Sequence, residues 1–192
     1  MSDRQARMQA LHREIDTATS ELNALLAEEA ARSVDDVRLC SVDGPVWLSE
    51  LFGEHERLLI SFNMGQGCAF CTLWADEANG VLSHLQSQAA FVVVSPDTPA
   101  EQQAFAQGRG WRFRMVSHAG TDFAKELGMR QDQDGQTFQI PGVQAFERDE
   151  DGAIRRVGMN FYGPGDSFSS VFHYLRMFPD GVARFQPQMQ YS

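Results

Sequence analysis

The sequence predicts an α/β domain, a central mixed sheet flanked by helices, with an extra long helix at its N-terminus. Two nearly continuous apolar runs of strand length, residues 58–62 and 91–94, bracket a stretch with helical apolar spacing. That is the pattern of a parallel strand-helix-strand crossover whose strands are covered on both faces. Two later runs, residues 143–148 and 154–161, are joined by Asp149-Glu150-Asp151-Gly152 and read as an antiparallel hairpin. Ahead of all of these, residues 4–32 contain no Gly or Pro.

In that leading stretch Met8, Leu11, Ile15, Ala18, Leu22 and Leu25 recur at steps of three and four, so it is one amphipathic helix. Its narrow apolar seam suits either docking along the domain or pairing with a second copy as a homodimer. The expected organisation is therefore a helix over 1–33, a domain over 34–183 and a tail over 184–192. A short strand at 37–42, the turn Asp43-Gly44-Pro45 and an extended 46–48 form a first hairpin. Ser49 is positioned to cap a short helix that Gly53 ends. Cys40, in the first strand, reads as a small buried hydrophobe with no assigned chemistry.

After the 58–62 strand, Asn63-Met64-Gly65-Gln66-Gly67 forms a turn that leads directly into Cys68-Ala69-Phe70-Cys71. Leu73, Trp74, Ala78, Val81, Leu82 and Leu85 continue at helical spacing, with Asn79-Gly80 expected to bend that helix. Thr98-Pro99-Ala100-Glu101 opens another helix, closed by Gly108 and Gly110. Residues 111–116 read as extended, 122–127 as a short helix ended by Gly128, and 131–136 as a polar loop. The last helix is expected over 166–177, and the polar 186–192 as a frayed end.

A chain of 192 residues with 43% apolar content can bury one sizeable core. The net charge of −10 leaves no basic face for nucleic acid or an anionic membrane surface. The N-terminus lacks the apolar run of a signal peptide, and no stretch reaches the roughly 18 apolar residues of a membrane span. The expected location is cytoplasmic. Three cysteines do not make a secreted disulfide framework, so a close pair in a reducing compartment reads as catalytic, redox-sensing or metal-binding.

Two cysteines three apart at a helix start face the same way and lie within disulfide range. Cys68, at the helix N-terminus, meets the unpaired N–H groups and the positive end of the dipole, which stabilise a thiolate and make it the nucleophile. Cys71, one turn deeper, keeps a higher pKa and serves as the resolving thiol. No cofactor beyond that redox-active disulfide is expected. The alternatives are a buried pair with no function and half of a zinc shell. His12, His55, His84, His118 and His173 supply no second close-spaced ligand pair for the latter.

The order strand, Cys-x-x-Cys helix, strand, helix, then Ile140-Pro141 before a hairpin and a last helix resembles the thioredoxin-like superfamily. The resemblance implies that fold, a cis bond at Ile140-Pro141, and Pro141 beside Cys68. It also implies a substrate groove made by Ile140, Pro141, Ala69 and Phe70. Asp43-Gly44-Pro45-Val46-Trp47-Leu48-Ser49-Glu50-Leu51-Phe52 and Asp122-Phe123-Ala124-Lys125-Glu126-Leu127-Gly128 look like stretches of the peroxiredoxin and alkyl-hydroperoxide-reductase branch. The run Gly67-Cys68-Ala69-Phe70-Cys71-Thr72-Leu73-Trp74-Ala75-Asp76, with Gly110-Trp111-Arg112-Phe113, is closer still to the bacterial thioredoxin-like family catalogued as domain of unknown function 899.

The sequence departs from thioredoxin in having Gly67 before the first cysteine, Ala69-Phe70 between the two, and Ser61 or Phe62 where a buried carboxylate is expected. It departs from peroxiredoxins in placing Gly65, not threonine, three residues before Cys68; Thr72 or an arginine would have to take over that role. The expected function is a thiol-disulfide oxidoreductase acting on a protein or small-molecule disulfide and recharged by a dithiol reductant. A thiol peroxidase acting on peroxide is the enzymatic alternative, and a non-catalytic binding or dimerisation module the other.

Overall fold

From its N-terminus the computed structural model, which describes residues 2–191, runs through α1 (Asp3–Ala30), β1 (Arg32–Val34), β2 (Arg38–Ser41), β3 (Gly44–Trp47) and a 3-10 turn at Leu48–Phe52. It continues through β4 (Arg57–Phe62), α2 (Ala69–Gln86), β5 (Ala90–Ser95), α3 (Pro99–Arg109), β6 (Arg114–Ser117) and α4 (Phe123–Glu126). The chain closes with β7 (Arg130–Gln133), β8 (Gln136–Gln139), β9 (Gly142–Arg148), β10 (Ile154–Phe161) and α5 (Ser170–Leu175). Eight strands form one mixed sheet in the order β1-β10-β9-β4-β5-β6-β2-β3. The two apolar runs pair in parallel, Leu58 with Ala90 through Phe62 with Val94, and β9 lies antiparallel on the other side of β4.

Strand alternation divides the core into two layers. Leu58, Ile60, Phe62, Val92 and Val94 face one side, against Leu48, Phe52, Phe123, Leu127 and Phe146. Leu59, Phe91 and Val93 face the other, against Ala75, Leu82, Trp111 and Phe113. Both faces are covered, so continuous apolar runs rather than alternating ones are what these strands need. The helices start where the sequence signals them: Thr98 accepts from Glu101 N–H with Pro99 at the first position, and Gly110 closes α3 in the left-handed conformation.

Several expectations need correcting. Cys40 is exposed, because in β2 it is Leu39 and Ser41 that turn inward. Trp47, not Ser49, precedes the 3-10 turn; Ser49 instead donates its N–H and hydroxyl to the Asp36 carboxylate at 2.9 and 2.7 Å. α2 runs unbroken through Asn79-Gly80, and the Asn79 side chain accepts from Arg112 N–H at 2.9 Å. The 131–136 stretch is not a loop but the hairpin β7–β8, turned by Asp134 (φ 51°) and Gly135 (φ 74°), a two-residue Asp-Gly signal. α5 covers only Ser170–Leu175, because the Asp166 carboxylate captures the N–H groups of Gly163, Phe168 and Ser169 and keeps those residues out of the helix.

The division at residue 33 falls inside β1, which pairs antiparallel with β10. The C-terminal residues also pack: Phe185 meets Phe172 with ring centroids 5.5 Å apart, and Arg109 donates to the Met189 carbonyl at 2.8 Å. α1 is anchored only at its end. Ala30 is its one buried residue, while Met8, Leu11, Ile15, Leu22 and Leu25 are 41–63% exposed. The apolar seam therefore does not dock along the domain.

Arg156 is the clasp between these parts. Buried in β10, it donates to the Ala30 carbonyl at 2.8 Å, the Leu127 carbonyl at 3.1 Å and the Glu29 carbonyl at 3.4 Å, joining the end of α1 to the end of α4. Arg156→Met removes the side-chain donor from the Ala30 and Glu29 carbonyls, while Leu127 keeps the Gln144 amide at 2.8 Å, and is expected to lower the unfolding free energy by about 2–3 kcal/mol in urea titrations. Gly142 opens β9, where an added Cβ would collide with the Asn160 carbonyl and stand 2.8 Å from Met129 Cε. Because the first obstacle is backbone, Gly142→Ala is expected to destabilise by about 1–3 kcal/mol by the same assay.

Candidate thiol site

Cys68 is the N-cap of α2, and its sulfur accepts the Cys71 N–H at 3.1 Å, closing one of the orphan donors of the helix start. The Cys71 thiol also hydrogen-bonds to Cys68. Chiefly through that bond, with help from the Cys71 and Phe70 N–H groups and against the cost of burial, the Cys68 thiol is lowered to about 7. Cys71 is pushed the other way, well above the thiol range, by holding the same bond, by burial and by the charge of its neighbour. It is only 3% exposed, and the Met64 N–H points to its sulfur at 3.4 Å. One residue is thus a half-exposed thiolate near neutrality, and the other a buried proton holder.

The loop ahead of the pair is fixed from both sides. Buried Asn63 accepts the Gly65 N–H at 2.8 Å, and Asp97 accepts the Gln66 N–H at 3.1 Å. Asp97 is itself held by the Ser95 hydroxyl at 2.8 Å, and Ser95 by Gln102 at 2.8 Å, so the end of β5 and helix α3 position the loop. Gly65 has φ 117°, and a Cβ there would lie 3.1 Å from Asp97 Oδ1, so this position requires glycine.

Tyr162, which sequence reasoning does not single out, completes the floor of the site. Its hydroxyl lies 3.2 Å from Ser61 Oγ, its ring stacks on Trp74 with centroids 4.8 Å apart, and Phe70 is tilted against Trp74 at 6.1 Å. Burial, which dominates, pushes the Tyr162 phenol up to about 12; the Ser61 bond opposes this and the charges of Asp166 and Cys71 add to it. Ser61, at the position of the expected buried carboxylate, therefore forms a neutral hydroxyl pair with Tyr162 near the end of β4. Behind Trp74 and Tyr162 opens an apolar cavity of about 790 Å³, lined also by Leu59, Val81, Phe91 and Met159.

Ile140 and Pro141 lie at the cysteine end of the sheet, since Gly142 pairs with Phe62. Their peptide bond is trans, which corrects the cis bond that the resemblance implies. The chain is held straight there: the Ile140 N–H donates to Met129 and the Pro141 carbonyl accepts from Tyr162, both at 2.9 Å, so the segment runs on into the ladder without a reversal. Pro141 reaches the site through Tyr162, with no hydrogen bond to the cysteine turn. The Thr72 hydroxyl donates to the Cys68 carbonyl at 3.0 Å and to Met189 Sδ at 3.7 Å, not to a cysteine sulfur. Arg109 pairs with Asp76, and among the described residues no arginine hydrogen-bonds either thiol. Nor, among the described residues, do three His, Cys, Asp or Glu side chains converge as a metal site would require.

Similar folds occur in solved structures. Peroxidoxin BcpB from Mycobacterium tuberculosis shares 20% identity over 73% of this chain and 89% of its own, with a TM-score of 0.60. A cysteine-to-serine mutant of PrxQ from Xylella fastidiosa shares 15% over 77% and 95%, with a TM-score of 0.62. Reduced Prx3 of Vibrio vulnificus in complex with hydrogen peroxide shares 14% over 70% and 88%, with a TM-score of 0.56. The fold is thioredoxin-like. No curated protein matches the sequence. A family model described as a bacterial protein of unknown function, DUF899, matches residues 4–191, and the chain belongs to that family.

Proposed function

We propose that the protein is a thiol-disulfide oxidoreductase in which Cys68 attacks and Cys71 resolves. The observation that carries this reading is the split between the two thiols: one helix-capping sulfur lowered toward neutrality, one turn away from a buried thiol that is held protonated. The Cys68 thiolate attacks one sulfur of a substrate disulfide, forming a mixed disulfide and releasing the other sulfur as thiolate. Cys68 then carries no charge and no longer accepts the Cys71 proton, so the bond that raises Cys71 most and the smaller effect of its neighbour's charge both vanish, while burial remains. Cys71 gives its proton to the departing thiolate and attacks Cys68, which leaves the Cys68–Cys71 disulfide and a reduced dithiol product. An external dithiol returns the pair to its starting form, which fits a reducing, cytoplasmic setting.

Ala69 and Phe70 flank the attacking sulfur, and Ile140 and Pro141 border the same end of the sheet; these are the substrate contacts in this reading. Peroxidase chemistry is the second reading, favoured by the likeness to folds named for peroxiredoxins. There the same thiolate displaces an alcohol or water from a peroxide, becomes a sulfenic acid, and loses water when Cys71 attacks. Thiol mass spectrometry after challenge with an oxidised protein disulfide, and separately with peroxide, separates the two. Oxidation of Cys68 and Cys71 together by the disulfide, with dithiol-driven turnover abolished in Cys68→Ser, is the expected result. Oxidation by peroxide alone selects the second reading, and oxidation by neither sinks both.

The ionisation of Cys68 is separately measurable. Because its pKa is lowered, the iodoacetamide rate at Cys68 should rise through a midpoint near pH 7 and level off above it. Cys71→Ala removes the bond that contributes most to that lowering, so the midpoint should move upward. A midpoint that stays put would show that the Cys71 thiol is not what tunes Cys68.

A further inference from the structure

We infer that α1 is a self-association element, pairing antiparallel with α1 of a second copy. The helix is roughly 40 Å long at about 1.5 Å per residue, and only its last turn is held by the domain. Its exposed apolar residues alternate steps of three and four, an average repeat of about 3.5, which keeps one seam facing a partner helix along the whole length. Helices in water derive most of their stability from packing such a face, and in one chain this face has nothing against it.

Charge determines both the partner and its direction. Arg4, Arg7 and Arg13, the arginines of α1, lie in its first half, balanced by Asp3, Glu14 and Asp16; the second half carries Glu21, Glu28 and Glu29 and no basic residue. Glu28 and Glu29 stand at the negative end of the helix dipole, where Arg156 donates to the Glu29 and Ala30 carbonyls but forms no ion pair with either glutamate. Among the described residues the only ion pair within α1 is Arg7–Glu14 at 3.4 Å. A parallel partner would set the acidic halves side by side. An antiparallel one places the arginine-bearing half of each helix against the acidic half of the other.

The same direction gives a self-complementary seam. Met8 faces Leu25 of the second copy, Leu11 faces Leu22, and Ile15 meets Ala18, a large residue against a small one at the two-fold axis. Arg7 then flanks the seam beside Glu28 of the second copy. Glu14 falls opposite Glu21, a like-charge contact moderated by the Arg7–Glu14 pair of its own helix. The first turns of the second copy also reach the mouth of the apolar cavity, where Asn23, Leu26 and Ala27 of α1 form one wall.

Sedimentation equilibrium on the full chain tests this, with circular dichroism to show that every variant folds. The wild type should sediment as a dimer, and Leu11→Glu with Leu22→Glu as a monomer. Arg7→Glu alone and Glu28→Arg alone should each raise the dissociation constant roughly tenfold by turning two attractive pairs into repulsive ones. The double variant Arg7→Glu, Glu28→Arg should restore it, because each new glutamate meets a new arginine on the other helix. A monomeric wild type, or a dimer that survives the two glutamates in the seam, overturns the proposal. Failure of the double variant to recover overturns the antiparallel arrangement.

Discussion

The parallel pairing of β4 with β5 is the constraint on which the site depends. Both strands are covered on both faces, so their register is fixed by two independent sets of buried side chains, and neither can slip without exposing one set. A parallel pair needs a crossover, and α2 is that crossover. The start of α2 therefore has to lie at the carboxyl end of β4, where Asn63, Gly65 and Asp97 turn the chain. Cys68 is at the helix N-terminus because the sheet leaves it no other place.

From that placement the asymmetry of the two thiols follows through hydrogen bonds and burial. The sulfur at the cap receives hydrogen bonds from the turn that follows it, while the sulfur one turn later is buried. A thiolate supported by hydrogen bonds alone depends on its neighbour remaining a donor. In the proposed reaction the pair is self-timing: Cys71 is held protonated while Cys68 is charged and is released when Cys68 has reacted. The Ser61–Tyr162 hydroxyl pair stays neutral at physiological pH, where a buried carboxylate would have carried a charge.

The periphery is arranged around the same sheet by fewer and more specific bonds. Arg156 gathers the end of α1, the end of α4 and β10 through carbonyl oxygens, so the long helix is rigidly rooted although most of it projects from the domain. The C-terminal residues close over α2 by way of Met189 and Arg109, which places them near the first turn that carries the cysteines.

Periodicity and capping residues alone were enough to determine the central strands, the hairpin β9–β10, the start of α3 and the position of Cys68 and Cys71 at a helix start. These are local properties, set within a few residues by side-chain spacing and by backbone donors that must be satisfied. The seam of α1 was equally legible, as a pattern. Whether the domain covers that seam, whether Cys40 faces inward, and which residue meets Ser61 were decided by register and by contacts between distant segments. Tyr162 shows why: nothing near it in sequence marks it, and it reaches Ser61 only because β10 lies beside β9 and β9 beside β4. The Ile140-Pro141 bond is a further case, since neighbours on both sides, Met129 and Tyr162, hold the chain extended where the dipeptide itself permits either isomer.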